Sequence, residues 1–465
     1  MADAGRDNPY TKGIAQFVSG LQFSDIPPEV IQRIKLLILD SLGCGLYGQK
    51  LEWTRILQET LAAVDTSVNS QIWGTNKRLS LPHAVLVNGT QIQSFELDDV
   101  HRQGVMHVGA VVLPGLLGIA ESQRTINGLE FLTSAVAGYE IGPRVGICMG
   151  QEHIAQGWHS GATLGVFSSA AGVARGLNLN TQKTVHALGI AGTQASGLMA
   201  AQYGSMVKRM HAGRAAQSGL YGALLAKNGF TGIENVLESE YGGYCTTFSR
   251  SHDRFDLEQL TAGFGSVWQT MGIALKFYSC VGSNHTTLDG IRLLQGQRHF
   301  GPDDIKEIVV SGSQVTMDHV GWTYIPQGLT SAQLNLPYCV ATYLLEGDCF
   351  VDQFTEELVA DPTRIALAGK VRVQHDDAIT KQGSKYRHKV HVQVELNDGT
   401  VLKTTVESGR GSEHNFASET DIVNKFMFLA TKALPKLQAE ELCESILKLE
   451  RLDDAKKLTA LMTLQ

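Results

Sequence analysis

Up to about residue 265 the chain shows no convincing strand alternation, while apolar residues recur at helical spacing. A stretch of that length without strands can bury its apolar surface only by packing helix on helix. The segment 28–48, "PEVIQRIKLLILDSLGCGLYG", sets the pattern. Val30, Ile31, Ile34, Leu37, Ile38 and Leu42 share one face, Pro27 and Pro28 suit a helix start, and Gly43 and Gly45 loosen its end. Further helices are predicted near 83–95, 111–123, 127–148, 160–176, 182–200 and 210–228. After Trp268 the pattern changes. "DIKEIVVSGSQVTM" (304–317) reads as a strand, and "ALAGKVRVQHDD" as a helix end running into one. Residues 389–408 alternate around Asn397-Asp398-Gly399, where Asp-Gly supplies the positive φ of a primed hairpin turn. Helices at about 284–295 and 335–346 interrupt these strands, and the tail from Thr420 onward returns to helix. The expected fold is mainly α: helical over 1–268, a smaller α+β domain over 269–408, and helical again over 409–465.

Length and composition agree with two closely packed domains. The 465 residues exceed one small core, 43% are hydrophobic and only 18% charged. The 49 glycines suit tight helix contacts and a large subunit interface. A formal charge of −7 gives no general reason to expect nucleic acid or an acidic membrane surface, so a polyanionic ligand would need a locally basic pocket. Seven scattered cysteines without a CxxC argue against a disulfide framework or zinc finger and for a reducing compartment. The N-terminus lacks the apolar core of a signal peptide, "AVVLPGLLGIA" is too short to span a membrane, and "LMTLQ" is not a peroxisomal address. A soluble cytoplasmic protein is expected.

Five constellations could carry chemistry. "FELDDVHRQGVMHVGA" (95–110) holds Glu96, Asp98, Asp99, His101 and His107. On a helix Glu96 and Asp99 would share a face, and crowded carboxylates raise one another's pKa. The plainer alternative is aspartates capping the next helix. No HExxH or Cys/His cluster points to a metal there. In "GWHSGATLG" (157–165), His159 beside Trp158 is either structural or an acid/base group at a pocket floor, and the string is not GxSxG, so Ser160 is no nucleophile. "GSMVKRMHAGRAAQSG" (204–219) groups Lys208, Arg209, His211 and Arg214, either a carboxylate clamp or a solvated helix start. "KFYSCVGSNHTTLDGI" (276–291) brings Lys276, Cys280 and His285, with Cys280 read as packing or pocket wall. In "VGWTYIPQG" (320–328), Tyr324 either offers a phenol or is an aromatic buried at an ordinary turn.

Taken in order, these blocks resemble the MmgE/PrpD family over nearly the whole chain. The strings are "FELDDVH…MHVGAVVLPGLLGIAE", "GWHSGATLGVFSSAAGVARGL", "LGIAGTQASGL", "MVKRMHAGRAAQSGLYGALLAKNGFTG", "KFYSC…H…LDGI" and "LNLPYCVATYLLEG…VDQF". Within the family, the acidic block, "AQYGSMVKR" and "VGW" look most like the fungal members that decarboxylate cis-aconitate. The resemblance implies a large all-helical domain built from both chain ends, a smaller α+β lid domain, a homodimer, and an interdomain site using no metal or organic cofactor. It implies a small polycarboxylate substrate, with cis-aconitate decarboxylation to itaconate first, dehydration of an alkylcitrate or a related isomerisation second, and a silent polyacid-binding dimer third. Catalytic roles would fall on His107, His159, Lys208, Tyr324 and Glu96. Substrate contacts would fall on Asp98, Asp99, Arg209, Lys276 and His285, with Trp158 holding the His159 ring. Three positions depart from the family's usual pattern: Glu96 stands for Asp, Val100 for Thr, and Val281 for a His of the mammalian decarboxylases, whose histidine here is His285.

Overall fold

The computed structural model describes residues 8–150, 152–203 and 205–464, so the first seven residues, included in the targeting reading above, lie outside it. The helix Pro28–Gly48 starts and ends where the sequence places it and is buried without a break from Arg33 to Gly48. Leu81–Ile92, Gly109–Ser122 and Gly128–Met149 pack against it, and Gly165–Gly176, Thr181–Gly192 and Val207–Lys227 extend that body outward. The helices Pro9–Gly20 and Glu52–Ala62 add to this body and were not picked out in the sequence. Small residues set how closely the helices meet. Gly89 and Gly213 face each other where Leu81–Ile92 crosses Val207–Lys227, and a Cβ on Gly89 would sit 2.6 Å from the Gly213 Cα. Any larger residue there would force the two backbones apart.

Two expected helices are cut short, and the reason lies at the site. The stretch 160–176 divides into Ser160–Thr163 and Gly165–Gly176, and 182–200 stops at Gly192. The chain beyond Gly192 turns back to pair with the 157–159 loop. His159 N–H donates to Gly197 O (3.1 Å) and Met199 N–H to Gly157 O (2.9 Å). Backbone groups committed to that pairing cannot also continue a helical ladder. The helical part also contains strands of two residues, too short for alternation to register: Ser70–Gln71 with Arg78–Leu79, and Val100–His101 with Ile273–Ala274.

The second body is a four-stranded sheet in the order Val371–His375, Ile305–Gly312, Val390–Leu396, Val401–Val406. The first pair is parallel and the others antiparallel. Gly282–Gln297 lies across the last two strands, with Gly290 against Val392. The strand expected over 304–317 ends at Gly312, because the Ser313 hydroxyl accepts the Thr316 N–H and caps a helix, Gln314–Val320. The hairpin turn also differs in kind. Gly399 alone has positive φ (+85°), so the loop is not a primed turn, and Gly399 N–H donates to Leu396 O at 3.0 Å.

From the far end of the chain, the helix Glu419–Ala430 packs on Pro28–Gly48, with Phe426 over Gly43. Lys425 on that helix is buried. It pairs with Asp40 at 2.6 Å and donates to Leu97 O (2.8 Å) and Lys276 O (2.7 Å). One ammonium group thus ties the helix Pro28–Gly48, the acidic loop and the entry to the sheet domain together. Among the described residues, no helix is long and apolar enough to cross a membrane.

Candidate active site

A cleft of about 420 Å³ opens between the helical body and the sheet domain. The helical body contributes Glu96, His107, His159 and Lys208 to its wall, and the sheet domain contributes Lys276 and His285. Residues separated by almost two hundred positions in sequence therefore face one space.

Glu96 organises the inner end. It ends the short turn Gln93–Phe95 in a left-handed conformation (φ 54°), so the segment is not the helix on which Glu96 and Asp99 were expected to share a face. For a non-glycine residue that backbone costs about 1–2 kcal/mol, and such strain persists only where the surroundings enforce it. The surroundings here are cationic. Lys208 Nζ and Arg209 Nη1 both donate to Oε1, the latter at 2.7 Å, and Lys276 Nζ lies 3.5 Å from Oε2. Burial acts to raise the Glu96 carboxyl, but the charges of Lys208, Lys276 and Arg209 outweigh it and hold the group well below the usual carboxylate range. Glu96 is an anchored anion rather than the proton-holding member of the acidic block.

The proton-holding member is Asp99. Burial, followed by repulsion from Asp98, raises its carboxyl to about 7. It does not reach the cleft, because Oδ1 accepts the N–H groups of Val108 and Gly109 (both 3.0 Å) at the start of the helix Gly109–Ser122. The capping alternative describes Asp99 well. Asp98 is likewise fully buried, with Oδ2 3.0 Å from His107 Nδ1. Neither aspartate lines the cleft as a substrate contact would. Asp98 instead stands behind His107, at ion-pair distance from the ring but with neither carboxylate oxygen in hydrogen-bonding alignment with it.

His159 reaches the cleft from the loop before Ser160–Thr163. Burial, then the nearby charges of Lys208, His211 and His107, lower its imidazole well below the ordinary value, so it is neutral at neutral pH. Its Nδ1 is buried without a hydrogen-bond partner. The neighbouring ring is His211, with centroids 4.8 Å apart. Trp158 turns the other way, its ring 4.7 Å from Phe248 and its Nε1 donating to Phe248 O, so it does not hold the His159 ring as expected.

Three further expectations resolve in different ways. Arg209 is 2% exposed and sits behind the wall, bonded to Glu96, Gln333 and Thr330. His285 lines the cleft, its Nε2 3.2 Å from Cys280 O. Tyr324 is a correction. Its hydroxyl donates to Val359 O at 2.9 Å and its ring packs on Tyr338, away from the lining residues, because the turn that carries it folds into the sheet domain's own core. Cys280 is fully buried and is packing rather than wall.

The outer half of the cleft was not read from the sequence. Arg102, His319, Arg387, His388 and Arg410 line it. Nothing in "SGRGSEH" or "YRHK" marks these residues, since their meeting depends on how the chain returns after the hairpin. Among the described residues, Lys208, Lys276, Arg102, Arg387 and Arg410 bring fixed positive charge to the wall, against the one carboxylate of Glu96. A locally basic pocket in an acidic chain is what a small polyanion requires. Two neutral-capable imidazoles at its inner end add the means to move a proton.

Comparison with known proteins agrees with this picture. A model of the MmgE/PrpD N-terminal domain matches residues 12–256, and one of the MmgE/PrpD C-terminal domain matches residues 278–451. The cis-aconitate decarboxylase-like protein oryM of Aspergillus oryzae is 34% identical over 480 residues, covering 100% of this chain and 99% of that protein. The cis-aconitate decarboxylase of Aspergillus terreus is 32% identical, covering 99% and 97%. The human cis-aconitate decarboxylase is 28% identical, covering 97% and 94%.

Proposed function

The chain belongs to the MmgE/PrpD family, and from that premise we propose that it is a lyase that converts cis-aconitate to itaconate by acid/base catalysis, with no metal or organic cofactor. The observation that carries this reading is the inner cluster, in which one anchored carboxylate, Glu96, gathers Lys208, Arg209 and Lys276 beside His107 and His159. Lys208 and Lys276 line the cleft and receive the substrate carboxylates, in a partly dry setting where such contacts exceed their surface strength.

The reaction needs one proton delivered and one carboxylate released. Protonation of the vinylic carbon draws the double bond one position along. The electrons of the bond to the methylene's carboxylate form the new terminal alkene, and that carboxylate leaves as carbon dioxide. His107 is the donor: it lines the cleft, with the Asp98 carboxylate 3.0 Å behind its Nδ1. His159, kept neutral by burial and by Lys208, is the partner that hydrogen-bonds the substrate. Glu96 and Asp98 are positioning residues, acting through the lysines and through His107.

Seven buried, unpaired cysteines suit the cytoplasm, and the family premise extends to a homodimer. The function is tested by incubating purified protein with cis-aconitate in chelator-treated buffer. Carbon dioxide and itaconate should appear in equal amounts. Inert cis-aconitate together with water loss from 2-methylcitrate would replace this reading with a dehydratase.

A further inference from the structure

Three thiols that play no part in the proposed chemistry meet inside the sheet domain. Cys280 follows the segment that carries Lys276, Cys339 lies in the helix Leu336–Glu346, and Cys349 comes just after that helix. All three are fully buried, and their sulfurs lie within 4.8 Å of one another. Two sequence-distant elements thus present three soft ligands to one point. From these positions we infer that the sheet domain binds one thiophilic metal ion through Cys280, Cys339 and Cys349, of the monovalent copper or divalent zinc and cadmium class.

The geometry is close to what such an ion needs. Metal–sulfur bonds of about 2.3 Å place the sulfurs of a three-coordinate site about 4 Å apart, so closure from the present spacing takes side-chain shifts of under about 1 Å. The surroundings exclude hard cations, which demand six or more oxygen ligands. Thiolates select soft ions instead. Asn284 adds a second observation. It is fully buried, its Nδ2 lies 3.3 Å from Cys339 Sγ, and its Oδ1 has no hydrogen-bond partner. A half-turn of that amide presents the unpartnered oxygen to the sulfurs as a neutral fourth contact. Each thiol that ligates releases its proton to solvent, so binding tightens as pH rises. The cluster lies directly behind the cleft wall, since Cys280 O meets His285 and the Ser279 hydroxyl donates to Phe95 O.

The chain contains its own control. Cys148 and Cys245 bring their sulfurs to 3.9 Å, but as a pair without a third ligand among the described residues. Reduced full-length protein is equilibrated overnight with cadmium(II), and the sulfur-to-cadmium charge-transfer absorbance is followed alongside proton release. Saturation at one ion per chain is expected. Cys339→Ser and Cys349→Ser should each weaken binding by about tenfold or more, with melting curves showing that the variants fold, whereas Cys245→Ser should leave it unchanged. Should either cluster variant fail to fold, slow alkylation of the buried thiols through local opening of the wild-type chain, followed with and without cadmium, identifies the ligands. The metal should slow modification of Cys280, Cys339 and Cys349 and leave the rates at Cys148 and Cys245 unchanged. No charge-transfer band at stoichiometric metal, a band unchanged in both cluster variants, or protection confined to Cys148 and Cys245 would overturn the site.

Discussion

Glu96 carries negative charge into the one part of the cleft where three cations converge, and its left-handed backbone shows that the loop is held there by those contacts. Neutralising it should separate binding from turnover. Glu96→Gln removes a charge that repels the substrate's carboxylates, so KM should stay level or fall. Lys208 and Lys276 lose their anchor, so kcat should drop about tenfold or more. Equal losses in both constants would contradict this division of labour. Asp98→Asn keeps the side chain's shape and removes the charge behind His107, so kcat should fall about tenfold or more while KM stays level. An unchanged kcat would assign Asp98 a purely structural role. His159→Ala should reduce turnover by about 10²–10⁴-fold, and near-normal activity would remove His159 from the mechanism.

At this scale the residue types in the sequence announced the chemistry better than they announced which residue does what. His107, His159, Lys208, Lys276 and His285 do reach one cleft, each from a loop or the first turn of a helix. Asp99 and Tyr324 do not, and spacing could not have shown this. Whether a carboxylate faces substrate or caps a helix depends on a backbone turn at Glu96 that no local propensity favours.

Among the elements, the helix Glu419–Ala430 matters most to the site although it does not line the cleft. Lys425 on it neutralises Asp40 and holds the carbonyl groups of Leu97 and Lys276 together, next to Glu96 and to the Lys276 that lines the cleft. Lys425→Met strands a buried carboxylate and should cost about 3–5 kcal/mol, measurable by denaturant unfolding. A loss under about 1 kcal/mol would mean that the pair is not coupled to the fold. The short ladder Val100–His101 with Ile273–Ala274 is another link between the bodies. Its His101 accepts the Gly104 N–H at Nδ1, which requires a neutral ring, and burial lowers the imidazole to about 4. The unfolded chain takes up that proton near 6.5, so below that pH it binds more protons than the native state, and His101's contribution to stability falls as pH drops toward 4. The melting-temperature gap between wild type and His101→Gln should therefore narrow as pH falls from about 7 to about 4. A constant gap would show that the ring titrates normally.

Long helices such as Pro28–Gly48 and the 389–408 hairpin were legible because their periodicity runs for many residues. What was illegible is short or relational. Two-residue ladders carry no period, and the Lys425–Asp40 pair and the three-thiol cluster join positions dozens to hundreds of residues apart.

For the molecule as a whole, an acidic chain of net charge −7 builds a basic interior cleft by drawing cations from both of its bodies. That arrangement makes the cleft, rather than the surface, the place where a polyanion is held, so raising salt should weaken substrate binding only modestly. The proposed homodimer should sediment at about twice the 50.4 kDa of the chain, and a monomer at micromolar concentration would contradict it. The mainly helical character and the place where the sheet begins followed from patterning. The cleft's outer arginines did not, since they depend on the return of the chain across the sheet domain.

The most direct measurement is proton NMR of the purified protein with cis-aconitate in heavy water. The account predicts new vinyl signals of itaconate and one deuterium in its saturated methylene, placed there by the proton donor. A spectrum in which cis-aconitate persists unchanged, or is consumed without vinyl signals of itaconate, would contradict decarboxylation by this cleft.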